Sequence, residues 1–214
     1  MEVRKLSPAD KLVMQADLAL RTIFGEPQVS DRPCPAAKHP ENELSDRERK
    51  HVSGLMRVNH SGEISAQGLY QGQALTARLP DVREKMEQAA IEENDHLAWC
   101  AQRLQELGSN KSVLNPLWYT GSFLIGASAG MLGDKWSLGF VAETEHQVVS
   151  HLNEHLGSLP NQDARSRAII EQMKIDEAKH ATTALHHGGE ILPVPVKKLM
   201  GLMSKVMTRT AYWI

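Results

Sequence analysis

One arrangement of residues occurs twice in this chain, and it limits the fold more than any other feature. Glu63 is followed 30 residues later by Glu93-x-x-His96, and Glu145 is followed 32 residues later by Glu177-x-x-His180. Each unit is a pair of helix-forming stretches divided by a turn signal, Pro80 in the first and Gly157 to Asn161 in the second. A pair of helices joined by so short a turn folds back on itself as an antiparallel hairpin. All four glutamates fall near the middle of their stretches. The duplication therefore predicts an all-α fold, a four-helix bundle of two hairpins, with helices over about 45–78, 81–107, 132–156 and 161–187.

The composition fits that expectation. Aromatic residues make up only 5% of the 214, and the long segments are rich in Ala, Leu, Glu, Gln, Lys and Met, which lose little rotamer freedom in a helix. Ahead of the bundle, Ser7-Pro8-Ala9-Asp10 is a helix start, and Leu12, Ala16, Ala19, Leu20 and Ile23 form one apolar stripe that ends at Gly25. Pro27, Pro33, Pro35 and Pro40 make the following stretch an irregular connector. The expected organisation is an N-terminal helix and connector over 1–45, the bundle over 46–190 and a C-terminal helix over 191–214, all in a single domain.

Several classes of function are excluded early. A formal net charge of −2 gives no broad basic face, so nucleic acid is not an expected partner. Cys34 and Cys100 form no Cys-x-x-Cys, which removes a zinc knuckle or a rubredoxin-type iron site. The first 25 residues carry charges throughout and lack an apolar core segment, so no secretory signal is expected.

What remains is carboxylate–imidazole chemistry. Glu and His three apart on a helix sit about 60° apart around the axis and about 4.5 Å along it, so both can grip one metal ion. A single Glu-x-x-His is common on solvated helix faces. Two copies, each preceded by a mid-helix Glu, match the donor set of di-iron carboxylate bundles of the ferritin-like kind. Four carboxylates and two imidazoles suit iron or manganese rather than structural zinc, and two divalent cations would offset the cost of burying four negative charges together. The expected metal residues are Glu63, Glu93, His96, Glu145, Glu177 and His180. Glu92 and Glu143 are second choices, because each is rotated away from its neighbour on the helix and should face elsewhere.

Within Asn59-His60-Ser61-Gly62-Glu63, Glu92-Glu93-Asn94-Asp95-His96, Ala142-Glu143-Thr144-Glu145 and Asp176-Glu177-Ala178-Lys179-His180, the chain resembles the demethoxyubiquinone hydroxylases of ubiquinone biosynthesis over roughly residues 46–214. The resemblance implies that Glu63, Glu93 and His96 hold one iron and that Glu145, Glu177 and His180 hold the other, with Glu93 and Glu177 as bridges. It also implies O2-dependent hydroxylation of the ring of a polyprenylated methoxy-benzoquinol. Tyr70 and His151 are weaker candidates for hydrogen bonds to a quinol oxygen or an iron ligand; a core Tyr and a core His are the plainer readings. Gly68 and Gly72 inside a helix point to close helix packing, with room for a prenyl tail as the alternative.

Two segments bear on access to a membrane. Residues 112–133, SVLNPLWYTGSFLIGASAGMLG, carry no charge and stand where a bundle of two hairpins needs a long crossover. They are read as a crossover containing an apolar helix that lies against the bundle and dips into lipid. Near the C-terminus, Val196, Leu199, Met200, Met203, Val206 and Met207 form a stripe among Lys197, Lys198, Lys205 and Arg209, closed by Tyr212 and Trp213. Such a helix lies on an anionic membrane surface or packs on the bundle. With the resemblance, the expectation is a peripheral protein of the cytoplasmic face of the cell membrane.

The alternative activity at the same six residues is ferroxidase or iron handling, as in ferritins and rubrerythrins; a tRNA-hydroxylating di-iron enzyme is disfavoured by the lack of a basic face. No Gly-x-Gly-x-x-Gly signature is present, so the electron donor stays open. A homo-oligomer or partner proteins of ubiquinone biosynthesis stay open as well.

Overall fold

The computed structural model describes residues 7–30 and 32–214. The expectation of no secretory signal rests partly on residues 1–6, which lie outside this range, as does the side chain of Leu12 in the N-terminal stripe.

Among the described residues seven α-helices account for the fold: α1 (Pro8–Phe24), α2 (Asp46–Thr76), α3 (Pro80–Glu106), α4 (Asn115–Leu132), α5 (Asp134–Ser158), α6 (Ala164–His186) and α7 (Val194–Ala211). No strand occurs among the described residues, so the all-α expectation holds. The helix ends follow local chemistry. Ser7 with Asp10, and Ser45 with Glu48, form capping boxes that satisfy free N–H groups at the starts of α1 and α2. Pro80 occupies the first turn of α3, where its missing N–H costs nothing. Helix α6 begins at Ala164 rather than at Asn161, because the Asp163 side chain accepts from Ser166 N at 3.0 Å and fixes the start there.

Helices α2 and α3 form one hairpin, and α5 and α6 the other. Their buried apolar residues fall mainly into two clusters at opposite ends of the bundle, while Ile64 and Leu97 pack with Tyr119 of the crossover in a third. Val52, Leu55, Met56, Trp99, Cys100, Leu104, Leu152, Ile169, Ile170 and Met173 build one. Ala66, Tyr70, Val82, Met86, Leu138, Val141, Ala142 and Ala184 build the other. On every one of the four helices the metal-type residues lie in sequence between these clusters, so an apolar plug closes off the polar centre at each end.

The crossover must carry the chain from the end of α3 back to the start of α5, the full length of the bundle. Helix α4 does this in 18 residues, about 27 Å at the rise of an α-helix. It runs parallel to α2 at very short range. A Cβ placed on Gly68 would stand 2.5 Å from the Tyr119 carbonyl oxygen; one on Gly72 would strike the Phe123 carbonyl; one on Gly126 would strike that of Leu69. The packing reading of Gly68 and Gly72 is therefore the right one. Gly133, at φ 117, then allows the abrupt reversal into α5. Asp134 secures the corner by accepting from Arg78 N at 3.1 Å and Leu79 N at 2.9 Å. No helix among the described residues is long and apolar enough to cross a membrane.

Helix α7 lies across α2 and α5 and is pinned at both ends. Lys197 Nζ meets Glu143 at 2.7 Å near its start. Near its end, the Tyr212 hydroxyl lies 2.8 Å from His51 Nδ1, and Arg57 donates to the Tyr212 carbonyl at 2.8 Å. The stripe read from the sequence is divided in the structure. Met200 and Met207 are part-buried and, with Met203 at the rim, line a cavity, whereas Leu199 and Val206, like Leu202 beside them, are exposed.

Candidate metal centre

Glu63 on α2, Glu93 and His96 on α3, Glu145 on α5, and Glu177 and His180 on α6 all meet at mid-bundle, each no more than 8% exposed. Ligand atoms of Glu63, Glu93, His96 and Glu177 lie within 4.8 Å of one another. The two Glu-x-x-His pairs are crossed. Glu93 places one oxygen 2.9 Å from His96 Nδ1 and the other 3.1 Å from His180 Nδ1. Glu177 places one oxygen 3.1 Å from His180 Nδ1 and the other 3.1 Å from His96 Nδ1. Each of these carboxylates thus addresses both imidazoles. Glu145 is engaged differently, accepting a short hydrogen bond from the Tyr70 hydroxyl.

The outer face of each ring is also crossed. His96 Nε2 lies 3.0 Å from Asp176, the residue before Glu177; His180 Nε2 lies 2.7 Å from Glu92, the residue before Glu93. A carboxylate can only accept, so Nε2 donates outward in both rings, while Nδ1 faces the central carboxylates and, once it has given up its own proton, is the nitrogen placed to bind a cation. The expectation that Glu92 faces elsewhere is corrected here. A carboxylate one residue back from Glu93 is turned by about 100°, which aims it at α6, where the outer nitrogen of His180 waits. Glu143, by contrast, does turn away, to Lys197 of α7.

Electrostatics describe a centre built for cations. Burial and then the neighbouring Glu93 hold the Glu63 carboxyl well above the ordinary range; burial and then Glu177 do the same to Glu145. For Glu93 burial also pushes upward, but His96 and His180 outweigh it and the net displacement is downward. Burial alone would lower His180, yet hydrogen bonds to Glu177 and Glu93 bring it up to about 12. The Tyr70 hydroxyl is held protonated by burial and by the adjacent Glu145. Glu93 Oε1 and Glu177 Oε1 are buried without a well-aligned hydrogen bond. Four buried carboxylates with inward-facing imidazole nitrogens fit hard divalent metal ions, and the absence of thiolate in the group argues against structural zinc.

An apolar cavity of about 370 Å³ opens from this centre. Glu63, Glu145 and Glu177 form its floor, Leu117, Trp118 and Ile125 one wall, and Met200, Met203 and Met207 its roof. His151 lines the cavity and touches none of the six residues; its ring packs against His155 at 4.1 Å, and burial lowers its pKa.

Sequence reasoning missed three participants: Asp176, Asp95 and Arg32. Arg32, on the connector between α1 and α2, reaches Asp176 at 2.6 Å and Asp95 at 3.2 Å and stacks over Trp99. The signal for Asp176 was in the duplication, which extends one residue further back than the Glu-x-x-His pairs: an acid precedes the Glu in both copies. Arg32 has no counterpart in the second copy and no local pattern that would flag it.

Comparison with known proteins agrees in detail. Residues 50–211 match the family model described as ubiquinone biosynthesis protein COQ7. A 3-demethoxyubiquinol 3-hydroxylase of Nitrosococcus oceani is 62% identical over 214 residues, the whole of both chains. One of Stutzerimonas stutzeri is 61% identical over 99% of this chain and 98% of its own, and one of Nitrosomonas europaea 59% identical over 96% and 98%. Among solved structures, the bacterioferritin-related protein of Bacteroides fragilis, a dodecameric thioferritin, superposes with a TM-score of 0.54 at 20% identity, over 64% of this chain and 84% of that one. That likeness shows the ferritin-like fold alone.

Proposed function

The chain belongs to the family of the ubiquinone biosynthesis protein COQ7 and is an enzyme that hydroxylates demethoxyubiquinol; from that premise we propose that two iron ions held by the six mid-bundle residues serve the reaction. Glu63, Glu93 and His96 would hold one iron, Glu145, Glu177 and His180 the other. Glu93 and Glu177 would serve both, since each carboxylate presents one oxygen to each imidazole. The metal pair, when bound, supplies O2 activation, chemistry that no side chain can perform.

The protein's own residues do the rest. Asp176 and Glu92 fix the ring orientation and tautomer of the two histidines. Tyr70 keeps its proton on the Glu145 carboxylate and restrains that side chain. The apolar cavity excludes water and offers the quinol ring a place beside Glu63, Glu145 and Glu177, with the tail leaving between α4 and α7. Exposed Leu117 and Leu124 on α4, and Leu199, Leu202 and Val206 with Lys198 and Lys205 on α7, flank that exit. A surface of this kind suits peripheral attachment to the anionic cytoplasmic face of a membrane, where a prenylated quinol resides.

The observation that carries this reading is a carboxylate–imidazole centre whose one large cavity is apolar and runs toward exposed apolar helices. Ferroxidase activity, the competing use of the same donors, needs no apolar cavity of this size beside the carboxylates.

Gly62 provides the test. It lines the cavity beside Glu63, and a Cβ there meets nothing within 4 Å, so Gly62→Leu fills the space without disturbing the backbone. Iron-loaded protein in vesicles, given demethoxyubiquinol, O2 and a reductant, should form hydroxylated product, and Gly62→Leu should keep two irons yet lose about tenfold or more in kcat/KM. Unchanged turnover in the variant would remove the cavity from the account.

A further inference from the structure

The two histidines are supported in unequal ways. His96 is fully buried, its ring tilted against Trp99 at 5.4 Å. Its outer partner Asp176 is held in turn by Arg32 at 2.6 Å and by Gln172 at 3.0 Å. The same guanidinium grips Asp95 on α3, whose carboxylate also accepts from Ser30 N at 2.8 Å and from Ser30 Oγ at 2.7 Å. Ser30 and Arg32 of the connector therefore fasten α3 to α6 directly outside His96.

His180 has no such fastening. Its outer partner Glu92 has a side chain 28% exposed and no cation paired with it among the described residues. Both residues line a second cavity of about 270 Å³ with a mixed lining, Gln88, Lys179, Thr183 and His187 alongside Met86, Leu138 and Val141. This cavity borders the His180 side of the centre, whereas the connector covers the His96 side.

We propose that the Arg32 strap makes the two metal positions inequivalent: the His96 position is the tighter and slowly exchanging one, and the His180 position is the one through which metal enters and leaves. The inference rests on the ligand assignment above. Arg32 acts as a positioning residue, through Asp176, on the orientation of an imidazole that itself touches the metal.

Metal binding alone tests it. Metal-free wild-type protein titrated with Co²⁺, followed by visible absorption and calorimetry, should bind two ions in two classes separated by at least about tenfold in affinity. Arg32→Gln should weaken the tighter class by about ten- to a hundredfold and move the weaker class by less than about twofold, and Glu92→Gln should do the reverse. Arg32→Lys, which keeps the charge but loses the planar fork, should fall between wild type and Arg32→Gln. Metal-free melting temperatures within a few degrees of wild type establish that the fold is intact. If Arg32→Gln does not fold, Arg32→Lys with Ser30→Ala carries the same comparison. Two equal classes in the wild type, or both classes weakened alike by the Arg32 variant, overturn the proposal. Wild-type protein that fails to bind two ions overturns the ligand assignment instead.

Discussion

His96, in the first hairpin, is sealed behind Trp99, Asp176 and the Arg32 connector, and α4 lies along α2 of the same hairpin. His180, in the second, meets Glu92 on its outer side and borders a second cavity. The inner faces of the two rings are nearly interchangeable, each Nδ1 standing about 3 Å from both bridging-type carboxylates. Duplication has thus preserved what the metal chemistry requires and released everything outside it. The surroundings of one copy became a closed wall, and those of the other stayed open.

The inner equivalence is the easiest part to break. Glu93→Ala and Glu177→Ala should each empty both metal positions and lower hydroxylation by more than about a hundredfold, since each carboxylate serves both rings. Glu63→Ala and Glu145→Ala, which remove residues assigned to one position only, should leave one metal in place. Metal analysis of the four variants separates the two groups; one metal retained in Glu177→Ala would show that it does not bridge.

The wall on the first hairpin comes next in size. Gly126→Ala drives a methyl group into the Leu69 backbone, where no side chain can move aside. A loss of about 1–3 kcal/mol in stability is expected, seen as a lower denaturation midpoint. Gly157→Ala, in the second hairpin where nothing stands within 4 Å, should be nearly neutral or slightly stabilising. An equal response at the two glycines would deny α4 its packing role.

Membrane attachment is asymmetric too, since α4 and α7 both flank one cavity. Leu202→Asp should reduce binding to anionic vesicles by about tenfold, the cost of one large apolar side chain, without change in iron content. Flotation measures this; unchanged flotation would move the contact surface off α7.

The last effect is in pH. His155 is largely buried, and burial with the neighbouring His151 and His51 depresses its pKa from 6.5 to about 3. Between those values the unfolded chain binds a proton that the folded chain refuses, so stability should fall as pH drops through that window and be insensitive to this group above it. His155→Gln should flatten that part of the stability–pH curve of the metal-free protein. An unaltered slope would assign the acid limb to other groups.

How much of this was legible follows the range over which each interaction acts. Helix starts at Ser7 and Ser45, the stop before Pro80 and the duplicated donors are local signals, and α2, α3, α5 and α6 lie close to where periodicity put them. The crossing of the outer contacts, Asp176 to His96 and Glu92 to His180, is a relation between helices about 80 residues apart, invisible to any pattern within one helix. Arg32 sits in a proline-rich stretch with no periodicity at all. The stripe on α7 was visible, but its division between cavity and surface depends on how the helix lies over α2 and α5, which no heptad count can give.

The central claim, a two-metal centre shared by both hairpins, is tested most directly by metal analysis and electron paramagnetic resonance of the iron-loaded protein. The account predicts two irons per chain in wild type, magnetically coupled through the shared carboxylates. One iron per chain, or two that behave as isolated ions, would contradict it.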